Sequence, residues 1–292
     1  MKEYNIFGYK WLCRMEGESE IHPGKSHWYY EEDAVKQTGN NSVELTTLYK
    51  PGTEIHHWDG NIYYPTYGSG IIRSVDEFTY GTFLADIMLP RGLHLWPSFW
   101  LTGSKFWPPE IDIFEAYSDK KKGKYTEGLH WNIKHNIHYQ TDTSSHEWIH
   151  AKGIPYFSLM NKPTKNYNNY KLEWTPNSIK FLVNNHVIRD IDYHDDPEVI
   201  NGLNRSPYMY MVFSMEIKKD YTKHELDTLS QPMKIKNFKY IPYFKERTGS
   251  SITGTRTSTD DESTGRTIVT GTSRTDNMTT SGTRTTNGEV TR

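Results

Sequence analysis

PPEIDIFEAY, residues 108–117, puts three carboxylates into six positions: Glu110, Asp112 and Glu115. Side chains of a β-strand alternate faces with period two, so Glu110 and Asp112 share a face while Glu115, five positions after Glu110, points the other way. Two readings follow. Either the stretch is a plain strand with a stray surface acid, or one extra residue in the Ile113–Phe114 segment bulges and turns Glu115 back to the face of the other two.

The surroundings of this strand decide the fold class. VELTTLY (43–49), YGTFLADIML (80–89), IDIFEAY (111–117), YKLEW (170–174), SIKFLVNN (178–185), YMYMVFSMEI (208–217) and MKIKNFKY (233–240) are short runs rich in β-branched and aromatic residues. Clusters such as PGTE, YGSG, LPRG, TPNS and VNNH separate them, as turns separate strands. YKLEWTPNSIKFLVNNHVIRDI reads as a three-strand meander with a Pro-Asn and an Asn-Asn turn. No βαβ alternation is present, and this many short antiparallel strands predict an all-β fold, a two-sheet jelly-roll sandwich.

Composition changes near residue 246. After Phe244 there is no Phe, Tyr, Trp or Leu, and near copies of one phrase recur as TGTRT at 253, TGTSRT at 270 and SGTRT at 281. So few apolar residues cannot offset the entropy of ordering. The predicted organisation is therefore a folded domain over 1–246 and a Thr/Ser/Gly-rich low-complexity tail over 247–292, with attachment or oligomerisation as the tail's alternative role.

The formal net charge of −2 excludes the global field expected of a nucleic-acid or anionic-membrane binder. Cys13 is the lone cysteine, so neither an intramolecular disulfide nor a Cys-based zinc site can form. MKEYNIFGYKWLCRMEG lacks the apolar run of a secretory signal, and no stretch is long enough to span a bilayer. Aromatics reach 14% of the residues; such amphipathic plates serve cores and equally the flat apolar faces of ligands.

Two carboxyl groups about 5 to 5.5 Å apart can break a glycosidic bond with retention, one as nucleophile and the other as acid. Positions four apart on one strand face have backbones about 13 Å apart, a gap that two Glu side chains can close. A five-residue spacing meets the geometry only with the bulge. Here the sequence resembles glycoside hydrolase family 16, in its bulged branch with the pattern ExDxxE. The resemblance spans roughly 28–242 and is carried by YGSGIIRS, FTYGTFLADIMLP, LWPSFWLTG, the acid strand, LHW (129–131), YKLEWTPNSIKFLVNNHVI and PMKIKNFKY. It implies Glu110 as nucleophile, Glu115 as acid and then base, and Asp112 as the group that orients Glu110. Ionised Glu110 and Asp112 would disfavour a third charge and keep the general acid protonated.

The same resemblance implies an open cleft on the concave face of the sandwich, a polysaccharide substrate, action outside a cell and no redox or metal cofactor. Trp96 is expected in the cleft and Trp100, four positions on, in the core; Trp107 is expected as a platform for a sugar ring and Trp174 in the core. His130 and Trp131 match the strand beside the catalytic one, with His130 expected within hydrogen-bonding distance of the sugar or of Glu115; they, Glu216 and Arg73, which is retained from a family phrase in which Ile71 replaces another Arg, are expected to bind substrate. His135 and His138, three apart, are a poor metal pair because a catalytic zinc wants three ligands. Pro109 replaces the Gly that usually precedes the first acid. Lys236 stands where a structural calcium's Asp is common, and an ammonium cannot ligate calcium. Glu216 and Ser214 stand where glucan-cleaving members tend to have Ala and Asn, which is closer to the agarases and carrageenases. The rival readings are a carbohydrate-binding module without turnover and a depolymerase attached to a larger particle such as a phage.

Overall fold

The computed structural model describes residues 2–15, 28–57, 60–92, 94–117, 132–142, 144, 146–150, 162–217 and 231–244, with the backbone of 274–275 and 278–279. The chain divides into two units, Met1–Phe244 and Lys245–Arg292. In the second, Arg274–Thr275 pairs antiparallel with Met278–Thr279.

The first unit is built of strands. In order they are β1 (Glu3–Ile6), β2 (Tyr9–Leu12), β3 (Trp28–Tyr30), β4 (Val35–Gly39), β5 (Ser42–Leu45), β6 (Thr47–Tyr49), β7 (Ile55–His56), β8 (Ile62–Tyr63), β9 (Tyr67–Ser69) and β10 (Ile71–Phe78). There follow β11 (Gly81–Met88), β12 (Leu95–Gly103), β13 (Glu110–Tyr117), β14 (Asn132–Tyr139) and β15 (Glu147–His150). The last are β16 (Asn168–Thr175), β17 (Ser178–Val183), β18 (His186–Asp192), helix α1 (Pro197–Asn204), β19 (Met209–Ile217) and β20 (Met233–Pro242). An eight-stranded sheet runs β1-β2-β10-β19-β12-β13-β14-β15, and a seven-stranded sheet runs β18-β17-β16-β11-β20-β5-β4. This is the expected two-sheet jelly-roll sandwich. No helix among the described residues is long and apolar enough to cross a membrane.

Local chemistry explains the elements and two departures from expectation. The β16–β17–β18 meander forms as read, with Asn184 and Asn185 at φ 48° and 65°, the left-handed pair that a tight two-residue hairpin requires. VELTTLY is two strands rather than one: β5 joins the seven-stranded sheet and β6 a small sheet ordered β3-β9-β6. The break falls at Thr46, whose N–H donates to Ala34 O and whose carbonyl accepts from Gly70 N–H, both at 2.9 Å. Helix α1 was not foreseen, although Asp196 caps it on Val199 N–H and Pro197 opens it, the usual N-terminal grammar.

The core lies between the two sheets. Phe99 and Phe213 of the eight-stranded sheet stack at 4.5 Å, and Phe238 of the other sheet meets them edge-on at 6.3 and 5.7 Å. Such pairs add about 0.5–1.5 kcal/mol beyond the area they bury. Two contacts fix the height of the acid strand: Phe114 on Tyr170 at 4.5 Å and His135 on Phe181 at 4.7 Å. Gly103 closes the loop into β13. A Cβ there would run into Phe106 O and lie 2.9 Å from Pro109 Cδ, while its N–H donates to Pro109 O at 2.8 Å.

Candidate active site

The register of β13 contains the extra residue. It pairs with β14 as Glu110↔His138, Ile111↔Ile137 and Asp112↔Asn136, and resumes at Glu115↔Lys134, so Ile113 and Phe114 stand opposite the single His135. On the other side Trp100 pairs with Asp112 and Phe99 with Phe114, which leaves Ile113 unpaired. Ile113 and Phe114 both turn into the core. Glu110, Asp112 and Glu115 consequently line one pocket, together with Trp96, Ser98, Trp100, Ser214 and Glu216.

A bulge disturbs the ladder and leaves a carbonyl to be satisfied elsewhere. His135 Nδ1–H donates to Ile113 O. The ring is buried, and burial pushes its pKa down to about 4, so at neutral pH it is the uncharged donor that the carbonyl selects. His138, three residues on, faces the opposite side of the sheet, and the two histidines do not come together.

Each acid has its own partners. Glu115 accepts at Oε1 from Trp96 Nε1–H and Tyr117 O–H, both at 2.9 Å, and at Oε2 from Asn136 Nδ2–H. Glu110 accepts at Oε2 from Trp107 Nε1–H at 2.9 Å, and its Oε1 lies 3.4 Å from His138 Nε2. Asp112 is 3% exposed; its Oδ2 accepts no hydrogen bond among the described residues and lies 3.7 Å from the same His138 nitrogen. Glu110, Asp112 and His138 hold ligand atoms within 4.8 Å of one another, close enough to share a cation.

Electrostatics depart from the expectation that Glu110 and Asp112 are the ionised pair. Burial pushes Glu110 up to about 8, with the Asp112 charge adding to the effect while His138 and the Trp107 hydrogen bond oppose it. Burial, reinforced by the Glu115 charge, holds Asp112 well above the carboxylate range. Tyr117 is held up by burial and then by Glu115, so its phenol stays a donor.

Among the sequence-predicted residues, Trp96 and Glu216 are brought to the pocket and face each other as register partners. Trp107 is 50% exposed and borders a neighbouring hollow lined by Met15, Trp100, Thr102, Gly103, Phe106 and Glu110. Trp174 is buried in the core. Trp100 was expected there too, yet it lines the groove with its Nε1–H on Ser214 Oγ at 3.2 Å, because positions four apart on a regular strand share a face. Arg73 is also corrected. Its buried guanidinium donates to the carbonyls of Arg14 and Ser74 and lies 4.2 Å over the Tyr210 ring, outside the acid pocket.

Lys236 Nζ lies over the Tyr167 ring at 4.0 Å. His130 and Trp131 lie outside the described residues; among the described ones the strand paired with the acids is Asn132–Tyr139, whose His138 is the register partner of Glu110. Sequence reasoning missed Tyr117, Asn136 and His138. The first was legible as the residue two after Glu115, the other two only through the register.

No curated protein matches the chain by sequence. Among solved structures, a glycoside hydrolase family 16 endo-glucanase from Bacteroides ovatus matches with a TM-score of 0.52 at 22% identity, over 77% of this chain and 93% of that one. The κ-carrageenase from Pseudoalteromonas carrageenovora, in complex with an oligotetrasaccharide, matches at 0.52 and 13%, over 74% and 86%. The laminarinase catalytic domain from Thermotoga maritima matches at 0.51 and 16%, over 75% and 84%. These likenesses establish the shared fold. The sequence profile of glycosyl hydrolases family 16 matches residues 23–225, and the chain belongs to that family.

Proposed function

We propose that this O-glycosyl hydrolase is an endo-acting retaining enzyme that cleaves a β-linked polysaccharide, a β-1,3/1,4-glucan or a β-galactan, by double displacement. The observation that carries the reading is the single unpaired residue Ile113, which brings Glu110 and Glu115 to one pocket with Asp112 between them. Retention requires two carboxyl groups to flank one bond.

In the first step a Glu110 carboxylate oxygen attacks the anomeric carbon as the bond to the leaving oxygen breaks. Glu115 gives that oxygen its proton. In the second step Glu115 takes a proton from water, the hydroxide oxygen displaces Glu110 from the sugar, and both acids return to their starting states. Trp96, Tyr117 and Asn136 hold Glu115 in place, and Trp107 and His138 hold Glu110. Burial disfavours charge on Glu110 in the free enzyme, so formation of the neutral ester also relieves the cost of a buried carboxylate. The chemistry needs carboxyl groups and water alone.

Trp100 and Glu110 border both the acid pocket and the adjoining hollow. A groove continuing past the cleavage point accommodates a polymer interior, which supports endo action. Glu216 beside Trp96 adds a carboxylate acceptor for sugar hydroxyls and favours a galactan. The test is product analysis after incubation with laminarin, mixed-linkage glucan, agarose, porphyran and carrageenan, with Glu110→Gln as control. Internal cleavage of one of these polymers by the wild type alone supports the proposal. Binding without release of reducing ends would make the chain a carbohydrate-binding module.

A further inference from the structure

The acid face continues across two more strands. Glu110 is the register partner of His138, and His138 is the register partner of Trp148 on β15, the last strand of the eight-stranded sheet. Directly paired residues share a face, so Glu110, His138 and Trp148 form one row running from the acids to the sheet edge. Trp148 is 52% exposed. Beside the row, the His146 ring lies 4.5 Å from Trp107 and 5.1 Å from Trp148, and its Nε2 is 3.0 Å from His138 Nδ1.

We infer that Trp148, braced by His146, is a second sugar-stacking platform of the cleft, which takes a ring of the same polysaccharide chain beyond the reacting one. This rests on the glycosidase reading above. Neighbouring strands lie about 4.8 Å apart, so Trp148 stands about 10 Å from Glu110 across the sheet. A β-linked pyranose chain advances by about one strand spacing per ring. A chain crossing the strands at the acids thus places a ring, two units along, over the indole. Trp107 and Trp148 then flank His146 and present apolar plates to successive sugars, while the hydrogen bond between His146 and His138 couples the platform to the group facing Glu110.

The test uses the full chain and graded oligosaccharides of whichever panel polymer the wild type cleaves. Trp148→Ala is expected to lower the ratio of kcat/KM on long oligosaccharides to that on the shortest cleaved one by about three- to tenfold, and Trp148→Phe to recover most of the loss. In the Glu110→Gln background, Trp148→Ala should weaken retardation in gels containing the polymer. Equal chain-length dependence for Trp148→Ala and wild type, with normal cleavage by both, overturns the platform and leaves the glycosidase reading intact. If the wild type neither cleaves nor binds any polymer of the panel, both fall together.

Discussion

β13 and β16 are strands of equal length whose inner residues touch, Phe114 on Tyr170, and they obey different rules. β16 alternates buried and half-buried residues without a break and pairs with β11 at seven successive positions from Gly81↔Trp174 to Ile87↔Asn168. β13 has four buried residues in a row, Ile111 to Phe114, and breaks register against both neighbours. In β16, pattern and packing agree, so the strand contributes stability. In β13 one residue is given up from the ladder, and three acids gain a common face. The comparison assigns β16 to holding the sandwich together and β13 to chemistry, and it can be broken by mutation.

The largest effect is expected at the acids. Glu110→Gln should lower kcat about 10⁴-fold or more. Glu115→Gln should lower it about 10²- to 10⁴-fold, with a smaller loss on aryl glycosides whose leaving group needs no proton and recovery of turnover with azide. Leu172→Ala on β16 should instead cost about 2–5 kcal/mol of stability and leave kcat per folded molecule near wild type. Denaturant titration and steady-state kinetics on the same preparations separate the two behaviours.

His135→Phe sharpens the contrast. It keeps an aromatic ring beside Phe181 but leaves Ile113 O without its donor, a buried loss of about 1–3 kcal/mol. If the bulge relaxes by about an ångström, the acids lose alignment and kcat falls by about 10²-fold, beyond what the loss of stability explains.

pH dependence is the third test. The free enzyme must ionise Glu110 to attack, and burial sets that group at about 8. The acid limb of kcat/KM should therefore lie nearer 8 than the ordinary 4.5. Asp112→Asn removes the neighbouring carboxyl's contribution to that shift and should move the limb down. A limb near the ordinary value would show that Glu110 is not held as the structure has it.

The smallest expected effect concerns stability. A carboxyl whose folded pKa is raised favours the fold fully below its unfolded value and loses that contribution as pH rises through the folded one. Wild-type melting temperature should thus fall between about pH 5 and 8 on this account, and Glu110→Gln should flatten that slope. At pH 8 the variant should melt higher, at roughly 2–4 °C for each kcal/mol recovered. An unchanged slope would remove Glu110 as its source.

The sandwich was legible because strand period, turn residues and aromatic runs are local signals that tertiary packing reinforced here. The bulge was legible as well: Ile113 and Phe114 are two adjacent apolar residues in an otherwise alternating run. What lay beyond local signals was pairing. His138 and Asn136 reach the acids through register between strands. Arg73 has the right residue type on the right strand, and its guanidinium is held by two carbonyls and the Tyr210 ring instead of facing the acids. Trp100 reaches the groove beside Trp96 because β12 runs through Pro97 and keeps both on one face. The helix of Pro197–Asn204 shows the opposite failure, a clear local signal overlooked within an all-β reading.

The most direct test of the central claim is proton NMR of the first product released from the polymer the enzyme cleaves. With Glu110 and Glu115 acting in sequence at one anomeric carbon, the new reducing end should appear as the β-anomer before mutarotation. An α-anomer appearing first would mean that water attacks directly across a wider gap between the acids, and the double displacement derived from the Ile113 bulge would be wrong.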